Sequence, residues 1–326
     1  MVAPQFFAIC AFDVDQDGSV RLTSIKRYTL GQKLVAKFGA ANRVFWHSLQ
    51  LGTAAAVCIP HFGTEGLMAN LLHVLEVLRR VRPDANVHID WNLHGGERGF
   101  RYGKVGDDVW AGLFRPLSAK GKLRYFRANQ EVDYTFWGTG KDYLRNNALQ
   151  RHREAYKQTF SRHIEFANQR VLENVRTIHE RQLKGRFCIG IHRRVGNALV
   201  PNLQRDGSVP QLERFIHCVS ECVRNRGAAD WAVYLATDDE AVIPVLRRAF
   251  DRHLVVRQEI RRTAADRAEV HYADWSSVSL SDAEDVLIDT MLLARCEVLL
   301  HASSSISTVV GLLNPALRLV RVSNAG

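Results

Sequence analysis

The stretch "WAVYLATDDEAVIPVLRRAF", Trp231 to Phe250, opens with six apolar residues and a threonine. It turns at two aspartates and continues with apolar residues at helical spacing. A strand that runs straight into a helix through a short polar turn is the unit of a parallel sheet. The same unit recurs on both sides. Upstream, "RFCIGIH" reads as a strand and "VPQLERFIHCVSECVRN" as a helix. Downstream come the strand "HLVVRQ", the helix "SDAEDVLIDTMLLARC", the strand "EVLLHA", the helix "SSSISTVVGLLN" and a last strand, "LRLVRV". This alternation predicts a parallel sheet with helices on both faces.

The N-terminal half is less regular. "FFAICAFDV" and "SVRLTSI" flank the turn "DQDG", "AAAVCIP" reads as a buried strand, and "LMANLLHVLEVLRRV" as a helix stopped by Pro83 before the strand "ANVHIDW". The basic run from Lys141 to Lys184 lacks glycine and proline between Asp142 and Leu183 and reads as helices. Two domains follow from this pass, an N-terminal α/β domain over 1–183 ending in basic helices, and a domain with a parallel sheet over 184–326.

Of the 326 residues 46% are hydrophobic and 24% charged, enough apolar content for a packed core. The net charge of +10 favours anionic partners such as nucleic acid, an anionic membrane or a phosphate-bearing molecule, or describes a solvated basic surface. The helices of the basic run lack interleaved aromatics, so no nucleic-acid partner is expected. The six cysteines sit mostly in apolar runs without a Cys-x-x-Cys pair, as reduced thiols do, and no stretch is long enough to span a bilayer. The N-terminus carries no basic leader, so a cytoplasmic protein is expected.

In doubly wound sheets ligands bind beyond the C-terminal strand ends. The strand tips to inspect are therefore "HRRVGN", "ATDD" and "ASSSIS". At the first, strand alternation sends His192 and Arg194 one way and Arg193 the other, and Gly196 and Asn197 make the turn. The arginines are either a fork for phosphate or a pair of surface ion-pair donors. At the last tip, Ser303, Ser304, Ser305 and Ser307 begin a helix. One serine is accounted for as an N-cap, and the others suit an anion at the helix start. Asp238 and Asp239 suit a helix cap or a ligand contact. Asp289 interrupts an apolar run, as part of an acidic stripe with Asp282 and Asp285 or as an acceptor for a base's N–H groups. In the N-terminal half the loop "HFGTEG", with His61, Gly63 and Glu65, precedes a helix and suits a phosphate or sugar cradle. "DVDQDG" begins like a calcium loop, but Ser24 stands where the closing glutamate belongs, so a hairpin turn is expected. "WNLHGGERGFRYG" and "YTFWGTG" supply aromatics that suit sugar rings, although core packing accounts equally for Trp110 and Trp137.

"CIGIHRRVGN", "WAVYLATDDEAV", "AEDVLIDTMLLARCEVLLHASSSIS" and "GLL" occur in an order and spacing that resemble the alpha-1,6-fucosyltransferases, which are related to the protein O-fucosyltransferases. The likeness covers the C-terminal half and thins upstream. It implies an α/β fold of GT-B type, two Rossmann-like domains facing each other across a cleft. It also implies GDP-fucose as the donor, inversion at the anomeric carbon, a carbohydrate or glycoconjugate acceptor, and no cofactor or metal. By position, Arg194 matches the arginine on the donor's β-phosphate and His192 the histidine near the nucleotide. Asp289 matches the carboxylate that reads guanine, Ser304 and Ser305 the hydroxyls at the phosphates, and Asp238 and Asp239 the acidic pair. The segment "NALVPNLQRDG" lacks the lysine and glutamate of the core enzymes. The expected base is then Glu65, by likeness to a Glu-Gly-Phe loop, with Asp90 and Asp206 as alternatives. A transferase using another GDP-sugar, or a silent nucleotide- or glycan-binding protein, fits the same residues.

Overall fold

The computed structural model describes residues 8–14, 20–27, 56–60, 66–81, 86–91, 107–115, 123–126, 147–194, 210–262, 279–302 and 304–323. The chain divides into two compact units, Met1–Phe100 with Val105–Ala167, and Arg101–Lys104 with Asn168–Gly326.

The first unit is built on a five-stranded sheet. Its strands are β1 (Ala8–Val14), β2 (Val20–Arg27), β3 (Ala56–Pro60), β4 (Asn86–Asp90) and β5 (Leu123–Phe126), in the order β2-β1-β5-β3-β4. β3 is parallel to β4 and β5, whereas the hairpin of β1 and β2 adds antiparallel to β5, so this sheet is mixed. Helix α1 (Leu67–Arg80) is buried on nearly every side, and even Asn70, His73 and Glu76 are inside. Glu76 is held there by Arg79 at 3.0 Å and by the hydroxyl of Tyr156 on α3 (Asn147–His163). The short helix α2 (Val109–Leu113) brings Trp110 edge-on to Trp91, with ring centroids 5.0 Å apart. Trp110 is 2% exposed, so it belongs to the core and not to a sugar-stacking surface. Trp137 lies outside the described residues.

After α3, Phe166 forms an isolated bridge with Phe114, and the chain then enters α4 (Gln169–Ile178) and a π-helical turn, His179–Leu183. The units part between Ala167 and Asn168, upstream of the boundary expected near Lys184. The reason is that α4 packs on α7 (Leu280–Leu293), where Asn168 and Arg170 each donate to the buried Glu284 at 2.8 Å.

The second unit has the parallel sheet that the alternation predicts. Its strands are β6 (Phe187–Arg193), β7 (Trp231–Thr237), β8 (Leu254–Val256), β9 (Val298–His301) and β10 (Arg318–Arg321), ordered β10-β9-β6-β7-β8. Alternate residues serve opposite faces. Ile189, Ile191, Val233 and Leu235 join Phe215 and Val219 of α5 (Leu212–Arg226) and Leu246 of α6 (Val242–Phe250) in one cluster. Gly190 and Tyr234 face α7 instead, at Leu293 and Asp289. Pro244 is tolerated because it lies in the first turn of α6, where no intrahelical donor is needed. Gly227 ends α5 in the left-handed conformation, φ 64°, and its N–H closes onto Val223 at 3.0 Å.

Candidate functional site

In the second unit the chain builds the sheet outward from β6, first through β7 to β8, then back to the other side of β6 for β9 and β10. The reversal leaves a switch point between the ends of β6 and β9, the place where such sheets take ligands. His192 and His301 are register partners there. The Nδ1 of His192 lies 3.1 Å from the hydroxyl of Ser304, the N-cap of α8 (Ser305–Leu313). Both imidazoles are buried. Burial, with Arg194 and His301 nearby, pushes His192 down to about 3. Burial with the Arg321 charge pushes His301 down to about 4, against the pull of its bond to the Ala302 carbonyl.

The serines divide by task. Ser304 accepts the N–H of Ser307 at 3.1 Å, and the hydroxyl of Ser307 accepts the N–H of Ser304 at 3.1 Å, a reciprocal cap. Ser307 is fully buried and belongs to this cap. Ser305 stands in the first turn, where backbone N–H groups lack intrahelical partners and suit an anion.

The two arginines have different partners. Arg193 reaches the carboxylate of Asp239 at 3.0 Å, with only 13% and 10% of the two side chains exposed. Asp239 also accepts the N–H of Ala241, so it braces the turn into α6. Arg194 lies beyond the last strand residue, its Nε 3.9 Å from Asp238, and both side chains are partly open. Of the pair, Arg194 is the charge closer to solvent.

Asp289 is neither a solvated stripe residue nor unencumbered. Its Oδ1 accepts from the hydroxyl of Tyr234 at 2.6 Å and from Arg257 at 3.4 Å. Burial raises its carboxyl, which Arg257 and the Tyr234 hydroxyl draw back down. Arg257 also pairs with Asp285 and reaches Glu259 at 3.3 Å. Asp282 caps α7 through Ser279. Tyr234, Arg257 and His301 were not among the expected site residues. Arg257 directly follows β8, and the strand-end rule that singled out three other tips applies to it equally.

The structure thus brings together His192, Arg194, Asp238, Asp239, Ser304, Ser305 and Ser307 around one sheet edge, and holds Asp289 on α7. His61, Gly63, Glu65, Gly196, Asn197, Ser303 and Asp206 lie outside the described residues, as does the side chain of Asp90, which ends β4. Among the described residues no group of three or more His, Cys, Asp or Glu could hold a metal ion, and no helix is long and apolar enough to cross a membrane.

No protein-family model matches the chain, and no curated protein matches it in sequence. Among solved structures it is similar to NodZ alpha-1,6-fucosyltransferase soaked with GDP-fucose, at 15% identity and a TM-score of 0.50, over 81% of this chain and 94% of that one. It is similar also to the fucosyltransferase NodZ from Bradyrhizobium, at 14% identity and 0.50, over 84% and 97%. The selenomethionine form of that enzyme gives 15% and 0.51, over 84% and 96%. The likeness establishes a shared α/β fold along nearly the whole length of those chains.

Proposed function

We propose that the chain is an inverting glycosyltransferase that moves fucose from GDP-fucose to a hydroxyl of a glycan acceptor. The observation that carries this reading is the switch point, where Arg194 follows β6 and the first turn of α8 follows β9, beside the His192–Ser304 contact. It is supported by the fold shared with a fucosyltransferase soaked with GDP-fucose.

In the transfer, the acceptor oxygen bonds to the anomeric carbon as the bond from that carbon to the β-phosphate oxygen breaks. The electron pair leaves with GDP, and the acceptor proton passes to a carboxylate base. Charge grows on the departing diphosphate, so fixed positive groups there lower the barrier. Arg194 supplies a full charge, and the first-turn N–H groups of α8, beginning at Ser305, supply dipoles. Asp238 holds Arg194 at the strand tip, and the Arg193–Asp239 pair stiffens the turn beneath it. Asp289 is assigned to the guanine base, steadied by Tyr234 and Arg257. Glu65 is assigned as the base, ahead of Asp90 and Asp206, with the acceptor on the first unit.

GDP at a hundredfold excess over its Kd stabilises a single-site binder by about 2.7 kcal/mol. Thermal melts should therefore rise with GDP, rise less with UDP, and lose the GDP response in Arg194→Ala. Equal shifts with both nucleotides would remove the donor assignment. Hydrolysis assays with GDP-fucose, GDP-mannose and GDP-rhamnose then decide the sugar.

A further inference from the structure

The hydroxyl of Ser304 has one proton and two lone pairs. One lone pair takes the N–H of Ser307 at 3.1 Å. Among the described residues its proton has two acceptors in reach, Nδ1 of His192 at 3.1 Å and the hydroxyl oxygen of Ser307 at 3.4 Å. The second already accepts the N–H of Ser304 at 3.1 Å, and its own proton goes to the Ser304 carbonyl at 2.8 Å. The nearer and uncommitted acceptor is Nδ1. A neutral imidazole that accepts at Nδ1 carries its proton at Nε2.

His301 supplies the contrast. Its Nδ1 lies 3.2 Å from the carbonyl of Ala302, and a carbonyl only accepts, so this ring carries its proton on Nδ1. Register partners on neighbouring strands therefore hold opposite tautomers.

We infer that Ser304 is a positioning residue whose hydroxyl proton fixes His192 as the Nε2–H tautomer, making His192 a hydrogen-bond donor to an anionic ligand at the switch point. Burial keeps the ring neutral, consistent with one nitrogen accepting and the other donating. Nε2 has no hydrogen-bond partner among the described residues, so its N–H is the one left to offer. The hydroxyl of Ser304, with its proton spent on His192, is not the phosphate ligand expected from resemblance. The tautomer rests on the hydrogen bonds alone, and its use in binding rests on the proposed GDP-sugar site.

The test is long-range proton–nitrogen spectra of the full-length chain labelled with nitrogen-15 histidine. His192 should show a protonated Nε2 and a bare Nδ1, and the reverse pattern would overturn the assignment. Ser304→Gly removes the hydroxyl while keeping a residue accepted at N-caps, and should release the ring to a mixture of tautomers. Ser304→Thr should restore the single form, and an unchanged ring in Ser304→Gly would sink the role of Ser304. For GDP, Ser304→Gly and His192→Ala should each weaken affinity about tenfold, as loss of a bond to a charged group does. The double variant should be no worse than His192→Ala. Additive losses would show that Ser304 acts on the ligand independently and would overturn the inference. Failure of the wild type to bind GDP would defeat the donor-site reading and the binding role of His192, and leave the tautomer to the spectra.

Discussion

Arg193 and Arg194 are neighbours in sequence with different aspartate partners and different exposure. The Arg193–Asp239 pair is nearly closed to water at 3.0 Å, so truncating the arginine leaves a carboxylate in a poorly solvated place. Arg193→Ala should cost about 3 kcal/mol in denaturant unfolding, as broken buried pairs do. Arg194→Ala, at the longer and more exposed 3.9 Å contact, should cost less. Equal losses would show that the two arginines are not divided between structure and site. The buried histidines set an acid limit. An unfolded histidine takes up its proton near pH 6.5, whereas His192 and His301 in the fold resist until about 3 and about 4. Below pH 6.5 the unfolded chain therefore binds protons that the folded chain refuses, and stability falls as pH drops. Melts between pH 7 and 4.5 should show a shallower decline in His192→Gln than in the wild type, and parallel curves would refute the burial argument. At this scale sequence reading separated the two arginines by strand alternation, which is local, and they do have different partners. It missed the partners of Asp289, because Tyr234 is 55 residues away and Arg257 is 32, and only the fold joins them.

Among the elements, β6 sits close against α7. A side chain on Gly190 would bring its Cβ to 2.9 Å from a methyl of Leu293 and 3.3 Å from the sulfur of Cys296. Gly190→Ala should destabilise by about 1–2 kcal/mol, the range of modest overpacking, because a leucine tip can yield but the strand cannot leave α7. A stability equal to wild type by denaturant melt would mean the interface is looser than these distances. The strands and helices of the second unit were legible because each apolar run is long enough to show its period. The strand β5, "LRYF", was not, being 4 residues flanked by lysine and arginine and defined by pairing with β1 and β3. The break between α3 and α4 was equally hidden. No glycine or proline marks it, and backbone bonds at 2.8 and 3.1 Å, from Arg115 to Glu165 and from Ala167 to Leu113, hold the chain there.

At the scale of the whole molecule, the alternation of strand and helix specified a parallel sheet but not its order, since helices connect parallel strands in either direction across a sheet. The order places β6 at the centre, with β7 and β9 on its flanks and β8 and β10 at the edges. Amide exchange should follow that order, since protection rises with the depth of pairing. The amides of Ile189 to His192 should be slowest, and those of Arg318 to Arg321 among the fastest in the sheet. Uniform protection across the strands would contradict the arrangement. The mixed sheet of the first unit lay beyond sequence reading for a related reason. A hairpin announces its own two strands, but not the third strand on which it docks.

The hydroxyl of Ser304 closes the first turn of α8 and contacts the ring of His192 with the same atom. Inheritance at this codon is therefore judged twice. A lineage that drifts from serine to a residue without a side-chain acceptor loses the reciprocal cap bond and the contact to the imidazole in one event, and it needs a replacement that repairs both. Threonine alone among the ordinary residues keeps an aliphatic hydroxyl on the same carbon, so it marks the narrow path along which this position can change.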